Sequence, residues 1–190
     1  MEDYFEPAIH IRHNDYNSSL LLKYVDHSSN NTGNGINETV ITLKDDKYPV
    51  TVKLHYVAYD KENIIRTFTE ISHEEKKPVI LSKYASSMLH LNSSKYFLTE
   101  FSGDWAHEAN VTERELAFGK KVIDTKLGAR ANMFVSPFFQ LALDNPSQEN
   151  AGEVLVGTIG WTGNFRFTFE VDNKNELRII SGINPYDSEY

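Results

Sequence analysis

The stretch Asn164-Phe165-Arg166-Phe167-Thr168-Phe169-Glu170-Val171 decides the fold class. Phe165, Phe167, Phe169 and Val171 alternate with Asn164, Arg166, Thr168 and Glu170, which is the pattern of a strand with one buried and one wet face. Helical periodicity would scatter these aromatics around a cylinder. Working outward, Pro49 to Asp60 repeats the alternation: Val50, Val52, Leu54, Tyr56 and Ala58 share one side, and Thr51, Lys53, His55, Val57 and Tyr59 the other. Further strands are expected at Ala8–Arg12, Leu20–Val25, Thr39–Leu43, Ile64–Ile71, Val79–Lys83, Met88–Leu91, Tyr96–Phe101, Phe138–Leu143, Glu153–Trp161 and Glu176–Ile180. Their spacing is that of a β-sandwich. Asp45-Asp46, Asn145-Pro146, Asp172-Asn173 and Thr162-Gly163 supply turn chemistry between them. The Thr-Gly pair is expected to join the Trp161 and Asn164 strands as a tight hairpin.

Two stretches read differently. Thr112-Glu113-Arg114-Glu115 has the form of a capping box, so a helix from Glu113 to about Phe118 competes with a strand there. Asp26 to Glu38, rich in Asn, Ser and Gly, reads as a long exposed loop. No repeat and no shift of composition marks a boundary, so one β-sandwich domain over 1–190 is the economical organisation.

The 190 residues carry 19 Lys plus Arg against 27 Asp plus Glu, a net charge of −8, and no cysteine. A disulfide scaffold, a thiolate zinc site and a cysteine nucleophile are excluded, and an acidic chain has no footprint for a phosphate backbone, so no nucleic acid partner is expected. No apolar run is long enough for a membrane helix, and Met1 to Ala8 is not a secretory leader. Localisation stays open, with a soluble cytoplasmic chain preferred to a secreted one.

Among candidate sites, His10 with His13 and Asp15, and His107 with Glu108, are the best metal sets. His10 and His13, three apart at a strand's end, fit no strict same-face spacing and no HExxH is present, so no metal and no cofactor are expected. Sequons begin at Asn17, Asn30, Asn37, Asn92 and Asn110, a number that a chain rich in Asn, Ser and Thr generates by chance. The informative cluster is Gly103-Asp104-Trp105-Ala106-His107-Glu108. It sets one of the two tryptophans between carboxylates, a combination that suits sugars: C–H faces stack on the indole while acceptors hold hydroxyls. A tryptophan plugging a sandwich edge fits the same residues, and Asp104 with Glu108 could also be read as a glycosidase carboxylate pair.

Five blocks then come in order: Gly103-Asp104-Trp105 with Glu108; Ser136-Pro137-Phe138-Phe139; Glu149-Asn150-Ala151-Gly152-Glu153-Val154; Trp161-Thr162-Gly163-Asn164-Phe165; and Arg178 with Gly182-Ile183-Asn184-Pro185. In order and spacing they resemble the N-terminal domain of glycoside hydrolase family 36 α-galactosidases. Tyr84-Ala85-Ser86-Ser87 is similar too. The resemblance implies an all-β fold, an antiparallel β-supersandwich of the galactose mutarotase type, and it favours strands around Thr112.

It further implies a function for the longer protein: retaining hydrolysis of terminal α-galactosyl residues. A (β/α)₈ barrel of the same chain supplies an aspartate nucleophile in a Lys-Trp-Asp context and an aspartate acid/base. This sequence has no Lys-Trp-Asp, and a barrel takes about 250 residues. The chain is therefore expected to be a fragment without the catalytic barrel, inactive alone and with no catalytic residue of its own. Met1 to Pro7 resembles an internal stretch of the family, and Tyr190 stands where tryptophan is more usual. The implied role is to shape the α-galactoside pocket and to provide packing or homo-oligomer contacts. Trp105 and Asp104 are the expected substrate-binding residues, followed by Arg130 and Trp161. For Arg130 an ion pair, and for Trp161 a place in the core, is the competing reading. The alternative function is a free-standing carbohydrate-binding module, its face lined by Trp105 with Tyr56 and Tyr59. A mutarotase-like enzyme would need an opposed histidine and glutamate, and no such pair is evident.

Overall fold

A computed structural model describes residues 6–184; Met1 to Phe5, Pro185 and Tyr190 lie outside the described residues. The strands are β1 (His10–Arg12), β2 (Leu22–Gly33), β3 (Ile36–Asp45), β4 (Val50–Tyr59), β5 (Ile64–His73), β6 (Ile80–Lys83), β7 (Ser87–Asn92), β8 (Tyr96–Asp104), β9 (His107–Glu115), β10 (Gly119–Asp124), β11 (Val135–Gln148), β12 (Ala151–Thr158), β13 (Phe165–Val171) and β14 (Glu176–Ile183). One short 3₁₀ turn, Gly128–Arg130, interrupts them. The expected all-β, antiparallel class is what the chain has.

The described residues divide into two compact units, one of residues 8–87, the other of residues 6–7 and 88–184. In the first, a sheet of order β2-β3-β4-β5 accompanies the small β1-β6 pair. Its core is Ile11, Val50 and Val52, with Leu43 and Ile71 packed against them. In the second, sheets of order β12-β11-β8-β9 and β10-β13-β14-β7 face each other. Between them lie Tyr96, Leu98, Phe139 and Leu141 from one sheet and Phe165, Phe167, Phe169, Leu177 and Ile179 from the other. Phe139 meets Phe167 and Phe169 edge-on, with centroids 5.1 and 5.0 Å apart. Burying apolar faces of both sheets this way contributes roughly 25 cal/mol per Å², the main favourable term in the fold. The residues alternating along β13 are thus the wall of this core.

Three local expectations are overturned. Asp26 to Glu38 is no loop but the far part of the β2–β3 hairpin, with Ser29 opposite Thr39 and Asn30 opposite Glu38. Nearly every residue of β2 is exposed, so no apolar face disciplines its sequence and periodicity is silent. Asn34 and Gly35, at φ 57° and 81°, form its turn, and Asn-Gly is the dipeptide that left-handed pair calls for. Thr162-Gly163 makes no hairpin: β12 belongs to the β11 sheet and β13 to the facing one, so this connection crosses between layers. Asn145-Pro146 does not end its strand; β11 runs on to Gln148 through an irregularity after Leu143, where Asp144 adopts φ 65°. The Thr112 stretch is strand, as the family resemblance implies, and Leu116-Ala117-Phe118 links β9 to β10.

Candidate functional site

The β8–β9 hairpin presents Trp105. Asp104 pairs with His107 across a two-residue turn, and Oδ1 of Asp104 accepts the N–H of Trp105 at 2.7 Å. That bond fixes the turn and leaves the indole projecting, 87% exposed. Two alanines of this hairpin, Ala106 and Ala109, stand at φ 61° and 56°. A left-handed alanine costs on the order of 1–2 kcal/mol, so the Trp105 turn is held against backbone preference. Glu108 stands across from Gly103, whose added Cβ would come 3.2 Å from the Glu108 Cα. The pairing register shifts here, between Ser102 and Asp104, so Glu108 sits in the irregular part of the hairpin.

Arg130 ends the 3₁₀ turn; it is exposed, and its guanidinium has no ion pair among the described residues. Among the described residues, the pairing that competed with a ligand role is not made. Trp161 lies in the β12–β13 crossover and is 47% exposed, not a core residue. Its indole folds over Gly163, where an added Cβ would stand 2.7 Å from Nε1.

The register brings these residues to one end of the second unit. β8 ends at Asp104 and β11 starts at Val135, opposite Ser102. Phe138 pairs with Thr158, so β12 ends there too, and in the facing sheet Phe165 pairs with Ile183 and Asp124 with Arg166. The Trp105 turn, the Arg130 segment and the Trp161 crossover are three connections at this one end. Tyr56 and Tyr59 belong to the other unit. Three residues apart on β4, Tyr56 and Tyr59 emerge on opposite faces of their own sheet.

Sequence reasoning missed Met133 and Phe134, exposed by 43% and 42% on the same segment as Arg130. It also missed the ion pair of Arg166 with Asp124, whose Oδ2 accepts from Nε at 3.1 Å and from a terminal nitrogen at 2.8 Å. Of the histidine candidates, His13 is committed elsewhere. Its ring stacks on Tyr48 at 3.5 Å, Nδ1 lies 2.7 Å from Glu75 and Nε2 lies 3.0 Å from the Ser19 carbonyl. His10 pairs with the Ser82 hydroxyl.

Residues 1–190 match the glycosyl hydrolase family 36 N-terminal domain along their whole length. The chain belongs to that family. This family 36 domain is 28% identical to an α-galactosidase of Pediococcus pentosaceus over 99% of its own length. The crystal structure of an α-galactosidase from Geobacillus stearothermophilus superposes with a TM-score of 0.88 over 99% of the chain, at 25% identity. An α-galactosidase of Lactobacillus brevis, at 23% identity, shares the fold with the same score. The domain spans 28% of the length of the Pediococcus and Geobacillus proteins.

Proposed function

We propose that this family 36 domain serves an α-galactosidase as a non-catalytic N-terminal part, forming one wall of the pocket that receives terminal α-galactosides. The observation that carries the reading is the gathering of the Trp105 turn, the Arg130 segment and the Trp161 crossover at one end of the sandwich. Trp105 offers its exposed face to the apolar side of a sugar ring, and Asp104 holds the turn that aims it. Arg130, with no carboxylate partner among the described residues, is available to sugar hydroxyls, and Trp161 borders the same end. A Geobacillus stearothermophilus relative has been crystallised with raffinose, which makes raffinose the first substrate to try. The chemistry itself, retaining hydrolysis by two aspartates, is assigned to a (β/α)₈ barrel of the same polypeptide. Homo-oligomer contacts are a further role of this domain.

The test is Trp105→Ala in a full-length α-galactosidase carrying the domain. Loss of a stacking tryptophan at a sugar site is worth on the order of 2 kcal/mol, about thirtyfold. The expected result is a kcat/KM at least about tenfold lower with unchanged expression. An unchanged kcat/KM removes Trp105 from the pocket. The 190-residue chain alone is expected to release no chromophore from an aryl α-galactoside. Turnover by the pure chain would overturn the non-catalytic assignment. The fully projecting Trp105 also suits a free-standing sugar-binding module. A fluorescence response of this chain to millimolar galactose or raffinose would favour that second reading.

A further inference from the structure

The end of the sandwich that carries the site is tied together by amides. Asn164, which leads into β13, accepts the N–H of Gly128 on its Oδ1 at 2.6 Å. Its own carbonyl accepts the N–H of Asn184 at 3.0 Å. Asn184, 2% exposed, donates Nδ2 to the Thr125 carbonyl at 3.0 Å. The Thr125 N–H in turn reaches the Phe165 carbonyl at 3.2 Å. Gly128 stands at φ 57° with open space where a Cβ would be, so the glycine is there for its backbone conformation rather than for a close approach. That conformation turns its N–H onto Asn164.

The other end of the same segment is tied to the facing sheet, because the Phe134 carbonyl accepts the N–H of Gly103 at 2.9 Å. Residues 128–134 are thus suspended between Asn164 at the head of β13 and Gly103, two residues before Trp105. Between the two anchors the segment exposes Arg130, Met133 and Phe134. Ala131 alone of the segment is buried, a small anchor in the apolar core, and the side chains on either side of it are exposed. The Ala131 contact fixes its middle, and the two hydrogen bonds at its ends set how it runs from β13 to the Trp105 hairpin.

We infer that Asn164 is a positioning residue for the substrate pocket: its side-chain oxygen holds one end of the segment that carries Arg130, Met133 and Phe134 to the Trp105 hairpin. The inference rests on the function proposed above. It makes a specific claim about kinetics. Residues that touch a substrate away from the reacting atoms bind ground state and transition state alike, so disturbing them raises KM and leaves kcat.

The experiment compares Asn164→Ala, Asn164→Asp and Trp105→Ala in the full-length enzyme with raffinose as substrate. Alanine removes the acceptor of the Gly128 N–H; aspartate keeps an oxygen in its place. Losing that one charge-neutral hydrogen bond is expected to raise KM about tenfold with kcat within about twofold, and aspartate to restore KM to within about threefold of wild type. Asn164→Ser is the second variant, in case alanine prevents accumulation of the enzyme. Its hydroxyl is too short to reach Gly128, and the same direction of KM change is expected. A KM within about twofold of wild type in Asn164→Ala or Asn164→Ser, with Trp105→Ala showing its loss, overturns the positioning role alone. Equal losses in the alanine and aspartate variants also overturn it, since a merely structural asparagine would be rescued by neither. A Trp105→Ala enzyme with wild-type kinetics overturns the pocket reading itself.

Discussion

Gly157→Ala puts the packing of the second unit to a quantitative test. Gly157 on β12 lies opposite Phe139 on β11, and the phenylalanine ring covers it. A Cβ at Gly157 would fall 2.2 Å from Cζ and 2.3 Å from Cε1 of that ring. To regain ordinary carbon–carbon separation the ring must move by more than about 1 Å. It has nowhere to go, because Phe167 and Phe169 close its other side with edge-on centroids at 5.1 and 5.0 Å and are themselves buried. Two effects oppose each other. Replacing glycine by alanine restricts the unfolded chain and favours folding by about 0.4–1 kcal/mol. Overpacking costs about 1–3 kcal/mol, and disturbing two edge-to-face pairs adds about 0.5–1.5 kcal/mol each. The steric side wins, with a net loss of about 3 kcal/mol, or a fall in Tm of roughly 6–12 °C for a chain of this size. Tryptophan fluorescence is the assay, since Trp105 and Trp161 both belong to this unit and report on it selectively. Phe139→Leu in the same background makes room for the new methyl, so the double variant should be more stable than the sum of the singles by about 1 kcal/mol or more. A Gly157→Ala protein melting within about 1 °C of wild type, or strict additivity in the cycle, would refute the reasoning.

Tyr96→Phe should cost about 1–3 kcal/mol, read as a lower urea midpoint, because the buried hydroxyl accepts from the Ser93 N–H and faces the carbonyls of Leu91 and Asn175, which phenylalanine leaves short of a partner; an unchanged midpoint would count against this network. Acid should destabilise the chain. The hydroxyls of Ser93 and Ser94 and the Ser94 N–H hold Asp144 below the usual carboxylate range, the Glu176 N–H does the same for Asp172, and the Asn17 N–H and Tyr48 hydroxyl for Asp15. A carboxyl depressed in the folded state adds stability above its unfolded pKa, near 3.9, and loses it as pH falls through the lower folded value, so Tm should drop below about pH 4. Asp144→Asn should flatten part of that drop, and an unaltered acid profile would remove Asp144 from the account.

The strands that sequence reading located are those with one face against a core. β13 and β4 alternate because Phe165, Phe167 and Phe169, or Val50 and Val52, are buried apolar residues, while the residues between them are polar and, apart from Thr168, not buried. Where burial stops, so does the signal. β2 is exposed along almost all its length, and its residues were free to become Ser, Asn and Asp. Only Asn34-Gly35, a turn signature with a conformational cause, marked the hairpin from within. The crossover at Thr162-Gly163 failed for a different reason: turn residues show that a chain changes direction, not whether the next strand pairs with the last one or joins the opposite layer. That choice is made by tertiary packing, here by the β13 aromatics closing on Phe139.

The site was legible in composition and illegible in arrangement. Trp105 between carboxylates is a local feature, and so is each tryptophan or arginine taken alone. Their meeting at one end depends on the strand order β12-β11-β8-β9 against β10-β13-β14-β7, which no local pattern encodes. Two of the blocks that carry the family resemblance nevertheless contain the missing link, since Asn164 and Asn184 are the amides that tie this end together. An exposed rim cannot be stabilised by apolar burial without hiding the side chains it is meant to display. Short hydrogen bonds from a few amides fix the backbone while leaving Trp105 and Arg130 in solvent, as the proposed sugar-binding role requires. The same logic explains why Ala106 and Ala109 tolerate left-handed backbone beside Trp105: local strain of a few kcal/mol is borne by the buried aromatic core.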